Sequence, residues 1–310
     1  MATLTVVVVN FEAGDLLLRC VESFEKAGAD DIVVVDNASG DDSVERLLAA
    51  GTSARLVRAG VNRGYGAGAN LGAKEATGDV LLICNPDLVV EQGALGPLTS
   101  VLDTTPDVGA VGPQILNADG TRYPSARAFP SLSASAGHAF VGLFTERNPW
   151  TRSYKQLDRE LGSDGAEEVD WVSGACVALR REAFASVGGF DEGYFMYAED
   201  VDLCWRLRRA GWRVLYEPAA TVVHIQGAST GRRPYRMIVA HHRSTWRFAR
   251  RTATGKERLA LPAVALGLLA RLGLAVARTA AAGRRQGPGS GGRGRGGRGA
   301  GGAGGSSELR

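Results

Sequence analysis

Residues 4–36, LTVVVVNFEAGDLLLRCVESFEKAGADDIVVVD, carry the pattern that decides the fold. Leu4–Val9 is mostly apolar and β-branched, as expected of a strand buried on both faces. Residues 14–27 fit a helix, and Ile32–Val35 makes a second buried strand ending at Asp36. The alternation continues outward. Residues 41–50 start with a Ser/Asp-type cap and fit a helix, followed by a short strand at 55–58. Gly64–Thr77 is a glycine-rich turn entering a helix, and Val80–Cys84 is a strand ending at Asn85-Pro86-Asp87. A helix over 91–103 and a strand over 108–112 complete the series. Such a β-α-β-α order predicts an α/β fold with a mostly parallel central sheet and helices on both faces. Ligands of these sheets bind at the carboxyl ends of the strands, where Asp36, Asn85 and Asp87 all fall.

Beyond residue 112 the pattern loosens. Residues 113–170 are rich in Pro, Ser and aromatics and are expected to form an insertion or lid. Trp171–Arg180 and strands near 212–216 and 221–224 follow, then a basic amphipathic helix over 234–251. Residues 259–282 are nearly all Ala, Leu, Val and Gly; Pro262 and Arg271 argue against a clean membrane-spanning helix there. Residues 287–307 are mostly Gly, Arg and Ser, a composition expected to stay disordered. Met1 leads straight into TLTVVVVN with no basic n-region, so no secretory signal is expected, and the body shows no spanning segment.

Charge is divided along the chain. Residues 1–231 carry 19 Lys+Arg against 31 Asp+Glu, while residues 232–310 carry 17 against 2. An acidic body joined to a basic end points to a polyanionic partner, either nucleic acid or an anionic membrane surface. The tail lacks the interleaved aromatics of a single-strand binder, so no specific nucleic acid is expected. Cys20, Cys84, Cys176 and Cys204 have no metal-ligand spacing and are expected as buried, reduced thiols.

The densest chemistry lies in GFDEGYFMYAEDVDLCWRLR (189–208), with five carboxylates between Asp191 and Asp202. Acids at a helix start and cations at its end suit the helix dipole, and a helix is expected from about Val201. Capping accounts for one or two acids. Glu199, Asp200 and Asp202 pressed against aromatics would instead repel one another and resist desolvation, which raises a carboxyl pKa toward the range of a general base. Elsewhere each motif has a plain alternative. In VVVDNAS (33–39), an Asx turn accounts for Asn37 and Ser39, whereas Asp36 could bind a nucleobase edge. NRGYGAGAN (62–70) lacks the G-x-G-x-x-G spacing; its glycines allow either a tight helix entry or close approach to a diphosphate, with Arg63 nearby. Asp87 in CNPDLVV is either a Pro-Asp turn or a ligand for a hard divalent cation, a site His224 could complete. His241 and His242 have no partner at helical spacing and are expected on a basic helix face.

Taken in order, VVVVN, VDNAS, NRGYGAGAN, NPD, WVSGAC, GGFDEGYFMYAEDVDLCWRL and AGWRV resemble an inverting family 2 glycosyltransferase with the GT-A fold, over about residues 3–225. Finer similarity, in DGTRYPSARAFPSL (119–132), RNPWTRSY (147–154), STGRRPY (229–235) and AHHRST (240–245), is to actinobacterial WbbL-type rhamnosyltransferases of the arabinogalactan linker. The resemblance implies L-rhamnose transfer from dTDP-L-rhamnose to polyprenyl-diphospho-N-acetylglucosamine with inversion. It implies Asp36 on the thymine, with Asn10, Asn62, Arg63, Gly64, Asn85 and Asp87 around the nucleotide. Asn85 stands where many relatives have Asp, so a Mg²⁺ or Mn²⁺ ion would rest on Asp87 and His224. Asp200 matches the base, with Glu199 and Asp202 in support, and Trp171, Ser173 and Gly174 border the acceptor. The implied layout is a GT-A domain over 1–231, with a nucleotide-sugar half (about 1–112) and an acceptor half (about 113–231). A basic helical membrane-proximal extension (232–286) and the tail (287–310) complete it. A cytoplasmic protein, peripheral on the inner face of the plasma membrane, fits this layout, and a homo-oligomer is compatible with it. The alternatives are a related transferase using another nucleotide sugar and a nucleic-acid-binding protein acting through its tail.

Overall fold

In a computed structural model of the chain, residues 2–129, 165–225 and 234–285 are described. The opening stretch folds as the pattern requires: strand β1 (Leu4–Asn10), helix α1 (Asp15–Lys26) and strand β2 (Asp31–Asp36). Helix α2 (Ser43–Ala49), β3 (Arg55–Arg58), α3 (Tyr65–Glu75) and β4 (Val80–Cys84) follow. β1 pairs in parallel with both β2 and β4, and β2 with β3, giving the order 3-2-1-4 for a parallel half-sheet. β1 is buried over its full length, because its side chains pass alternately to two cores. Val6 and Val8 face Leu17 and Phe24 of α1, while Val7 and Val9 face Ala69 and Ala73 of α3.

The second half departs from the parallel pattern. Strand β5 (Leu88–Val90), helix α4 (Leu95–Thr104) and strand β6 (Val108–Asn117) come next. Two short strands follow, β7 (Arg122–Tyr123) and β8 (Ala126–Arg127), then β9 (Glu167–Glu168) and β10 (Trp171–Val172), which pairs with β8. β11 (Cys176–Arg180) runs antiparallel between β4 and β6. Helices α5 (Arg181–Ser186) and α6 (Glu199–Arg209) lead to β12 (Arg213–His224). The two strands expected near 212–216 and 221–224 are this one strand, irregular between Glu217 and Thr221 and paired in parallel with β6. Helix α4 starts at Leu95 and not near 91. Much of the 113–170 insertion, and the motif at 147–154, lies outside the described residues, as does the 287–310 tail.

Helix α7 (Pro234–Thr252) is the expected basic helix, and it packs on the body: Phe248 belongs to the core that holds Tyr194 and Leu203. His242 departs from the expected basic face, being buried with Nδ1 within 2.8 Å of the Ile238 carbonyl. A 3₁₀ turn (Gly255–Ala260) then enters α8 (Leu261–Arg285). Pro262 does not break this helix, because its missing N–H falls in the first turn where no intrahelical bond is lost. The segment Gly255–Ala281 is long and apolar enough to cross a membrane, and none of its most apolar window is buried by protein. All four cysteines are free and buried.

Candidate active site

Every strand of the parallel half-sheet contributes at its carboxyl end. Asn10 and Asp36 are register partners on β1 and β2, and both are buried. Asn10 Nδ2 donates to Ser39 Oγ and Ser43 Oγ at 3.0 Å each and lies 3.4 Å from Asp36 Oδ1, while its own Oδ1 is buried without a partner. Asp36 Oδ1 also accepts from the Ser39 amide at 3.1 Å, and Arg58 lies 3.7 Å from Oδ2. Asp36 is thus fixed and partly neutralised at the floor of the cleft. Asn37 does more than cap a turn: its Oδ1 accepts from the Arg63 amide at 3.1 Å, and its Nδ2 donates to the Gly64 carbonyl at 3.0 Å. This clamp holds the Asn62–Gly64 loop, and Asn62 Oδ1 accepts from the Gly64 amide at 3.0 Å. Gly64 has φ +91°, and a Cβ there would collide with the Phe195 carbonyl, so only glycine fits.

The loop before α6 is stapled to α3. Tyr65 N donates to the Phe195 carbonyl at 3.1 Å, and Asn70 exchanges two hydrogen bonds with the Phe190 backbone at 2.9 Å. The chain then passes through Tyr197 (φ +70°) and Ala198 (φ +62°), two consecutive non-glycine residues in the left-handed region. Such strain of about 1–3 kcal/mol per residue persists only where the surroundings over-determine it. It turns the chain so that α6 starts at Glu199, two residues before the expected start, placing Glu199 and Asp200 in its first turn.

Contacts run continuously from Asp87 to this acid pair. His224 Nε2 lies 3.0 Å from Asp87 Oδ1 and 3.3 Å from Asn85 Nδ2. The Asn85 amide donates to the Ala175 carbonyl at 2.9 Å, and the adjacent Gly174 amide donates to Asp200 Oδ2 at 2.9 Å. Gly174 O accepts from the Tyr65 hydroxyl at 2.5 Å, closing the circuit to α3. Buried Ser173 anchors the turn through its amide to the Ser125 carbonyl at 2.7 Å. Trp171 is buried, with its indole N–H on the Ala128 carbonyl at 2.9 Å and the Arg127 guanidinium over its ring. It is therefore fixed from within the fold, beside the turn that holds Ser173 and Gly174.

The two acids of the pair are held differently. Glu199 is buried, with Oε2 unpartnered, and burial reinforced by the Asp200 charge pushes its carboxyl up to about 8. Asp200, half-buried, is raised by desolvation, but amides of Gly174 and Val201 and the nearby Arg127 favour its charged form. These surroundings favour the proton on Glu199 and the charge on Asp200, which makes Asp200 the better placed of the two to accept a proton. Asp202 is not brought to this pair. It is fully buried among Arg206 Nε at 2.7 Å, Arg251 Nη1 at 2.8 Å and Tyr194 Oη at 3.2 Å, and supports α6 structurally. Asp191 shapes the aromatic loop, pairing with Arg247 and Arg251 and accepting from the Gly193 amide.

The Asp87–His224 pair fits a divalent cation. A carboxylate oxygen and an imidazole nitrogen lie 3.0 Å apart, and His224 Nδ1 is buried with no hydrogen-bond partner, so the polar contacts of the ring all run through Nε2. Among the described residues no third His, Cys, Asp or Glu joins them. A cation held here would draw its remaining ligands from water and substrate phosphates, which is how Mg²⁺-type ions are usually bound.

A parallel half-sheet ending in a nucleotide-type floor, followed by a strained loop and a carboxyl pair beside a cation-binding pair, is the layout of a GT-A glycosyltransferase. The chain belongs to the glycosyltransferase like family 2, whose model matches residues 2–255. It is 40% identical over 260 residues to the N-acetylglucosaminyl-diphospho-decaprenol L-rhamnosyltransferase of Mycobacterium tuberculosis, covering 79% of this chain and 83% of that one. It is also 32% identical over 154 residues to the rhamnosyltransferase WbbL of Escherichia coli K12, covering 49% and 54%. Two solved structures share the fold. GalNAc-T7 with UDP, GalNAc and Mn²⁺ has a TM-score of 0.57 at 22% identity, over 73% of this chain and 44% of that one. The Pyrobaculum calidifontis mannosyltransferase PcManGT with GDP-Man and Mn²⁺ has a TM-score of 0.54 at 19% identity, over 91% and 76%.

Sequence reasoning missed Asn37 as the loop clamp, Tyr65 as the tie to Gly174, and Arg127 as the cation facing Asp200. The NRGYGAGAN motif contained the Tyr65 signal; Arg127 is brought there by β8–β10 pairing, which local patterns do not reveal.

Proposed function

We propose that the chain transfers L-rhamnose from dTDP-L-rhamnose to polyprenyl-diphospho-N-acetylglucosamine with inversion, in cell-wall linker synthesis at the cytoplasmic face of the membrane. The observation that carries the reading is the 40% identity, across most of both chains, to the mycobacterial N-acetylglucosaminyl-diphospho-decaprenol L-rhamnosyltransferase, with the acid pair inside the residues 2–255 that match the family. The thymine would sit on Asp36, with Asn10, Asn62, Arg63 and Gly64 around the nucleoside and Asn85 and Asp87 toward the diphosphate. Trp171, Ser173 and Gly174 would border the acceptor sugar. Asp200 takes the proton from the acceptor hydroxyl as it attacks the anomeric carbon from the face opposite the leaving diphosphate. Protonated Glu199 beside it keeps a second charge from building up there. A Mg²⁺ or Mn²⁺ ion held by Asp87 and His224 would neutralise charge on the leaving diphosphate. The test is a donor panel with purified protein, a prenyl-diphospho-N-acetylglucosamine acceptor and each cation. Transfer from dTDP-L-rhamnose is expected; transfer from UDP-sugars alone would assign another donor to the same fold.

A further inference from the structure

Helix α7 carries seven basic or histidine side chains, and its arginines divide by what they touch. Arg247 and Arg251 are neutralised by Asp191 and Asp202 and serve the fold. Arg236, Arg243 and Arg250 are exposed, and none makes an ion pair among the described residues; Arg236 lies over the Phe195 ring and Arg250 over Trp246. These three stand seven residues apart, so they form one stripe along the helix. The stripe lines a cavity of about 900 Å³ whose other wall includes Gly193 and Phe195. Phe195 is the residue whose carbonyl receives the Tyr65 amide, so a single loop separates this cavity from the catalytic cleft. Ser244 holds the two walls together through its hydroxyl to the Met196 carbonyl at 2.8 Å. At its carboxyl end the helix leads to the apolar segment 255–281, where Leu259 is 82% and Leu266 is 69% exposed.

We infer that the Arg236–Arg243–Arg250 stripe holds the diphosphate of the lipid-linked acceptor, and so sets where its sugar enters the cleft. The inference rests on the acceptor class proposed above. Three guanidiniums with no ion pair among the described residues suit a phosphate ester through charge-assisted, forked hydrogen bonds. Bilayer headgroups offer the same phosphate chemistry. The position of the cavity, against the loop bearing Phe195 and the acid pair, favours an anion covalently attached to the reacting sugar.

The test compares the full chain with R236Q/R243Q/R250Q and with R243Q alone. A short, water-soluble prenyl-diphospho-N-acetylglucosamine is the acceptor, with no vesicles present. The triple variant should raise the acceptor KM about tenfold or more, as expected on losing several charge-assisted contacts. The single variant should lie between, and the donor KM should stay at the wild-type value. Inorganic pyrophosphate should compete with the acceptor in wild type and lose that competition in the triple variant. An unchanged acceptor KM, with loss only of co-sedimentation on phosphatidylglycerol vesicles, would assign the stripe to headgroups and overturn the inference. A donor KM that rises in parallel would mean general damage and would also overturn it. If wild type transfers no sugar to the acceptor, the proposed function itself fails and the stripe loses its ligand with it.

Discussion

At the scale of single residues, the acid pair makes the sharpest claims. Asp200→Asn keeps the shape and one of the two backbone amide contacts but cannot accept a proton. Turnover should fall by about 10²–10⁴ while donor binding by calorimetry is retained; near-normal turnover would remove Asp200 as the base. Glu199 has a native pKa raised from 4.5 to about 8, so between those values the folded state binds more protons than the unfolded state. Its contribution is therefore fully present below about 4.5 and lost as pH rises toward about 8. Glu199→Gln should gain stability relative to wild type across that window, by on the order of 1 kcal/mol per pH unit. Parallel denaturation curves at several pH values would show it, and a constant difference would contradict the assignment. The sequence displayed five acids but not their division of labour. Asp202 is held by Arg206 one turn along the helix and also by Arg251, nearly fifty positions downstream, which folds back on it.

At the scale of elements, the parallel half of the sheet was legible because each strand of the βα units is a continuous apolar run bounded by turn signals. The antiparallel half was not. β11 inserts between β4 and β6, and β5 pairs with the far end of β12, contacts set by long-range register that periodicity does not encode. The expected helix start near Val201 missed the first turn for a related reason: the left-handed Tyr197–Ala198 step is imposed by the α3 staple and is not favoured by either residue. Helix α3 also provides a test between competing effects. Gly72→Ala improves helix propensity by about 1 kcal/mol. A Cβ there would, however, overlap the side chains of Val7 and Val35, and overpacking costs about 1–3 kcal/mol. Packing should win, giving a lower Tm; a higher Tm would mean that α3 stands off the sheet.

For the whole molecule, the basic end is two things. Helix α7 is part of the body, since its arginines neutralise Asp191 and Asp202 and Phe248 fills the core. A chain ending at residue 231 strips the buried Asp202 carboxylate of Arg251 and should lose several kcal/mol, the typical effect of breaking a buried pair. A chain ending at residue 254 keeps these contacts and should melt near the full-length value; if both shortened chains melt alike, α7 is dispensable to the fold. The family match ends at residue 255, which agrees with that division.

The apolar segment 255–281 remains, with no protein packed around its most apolar stretch. Were it to enter lipid, enzyme and a lipid-linked acceptor would share a plane. Their encounters would then be counted per unit of membrane area and not per unit of volume. Diluting the suspension would leave the rate untouched, whereas adding acceptor-free lipid would slow it. The catalytic cleft would meet its substrate from a fixed height and tilt above the bilayer, a constraint that a freely tumbling transferase does not have.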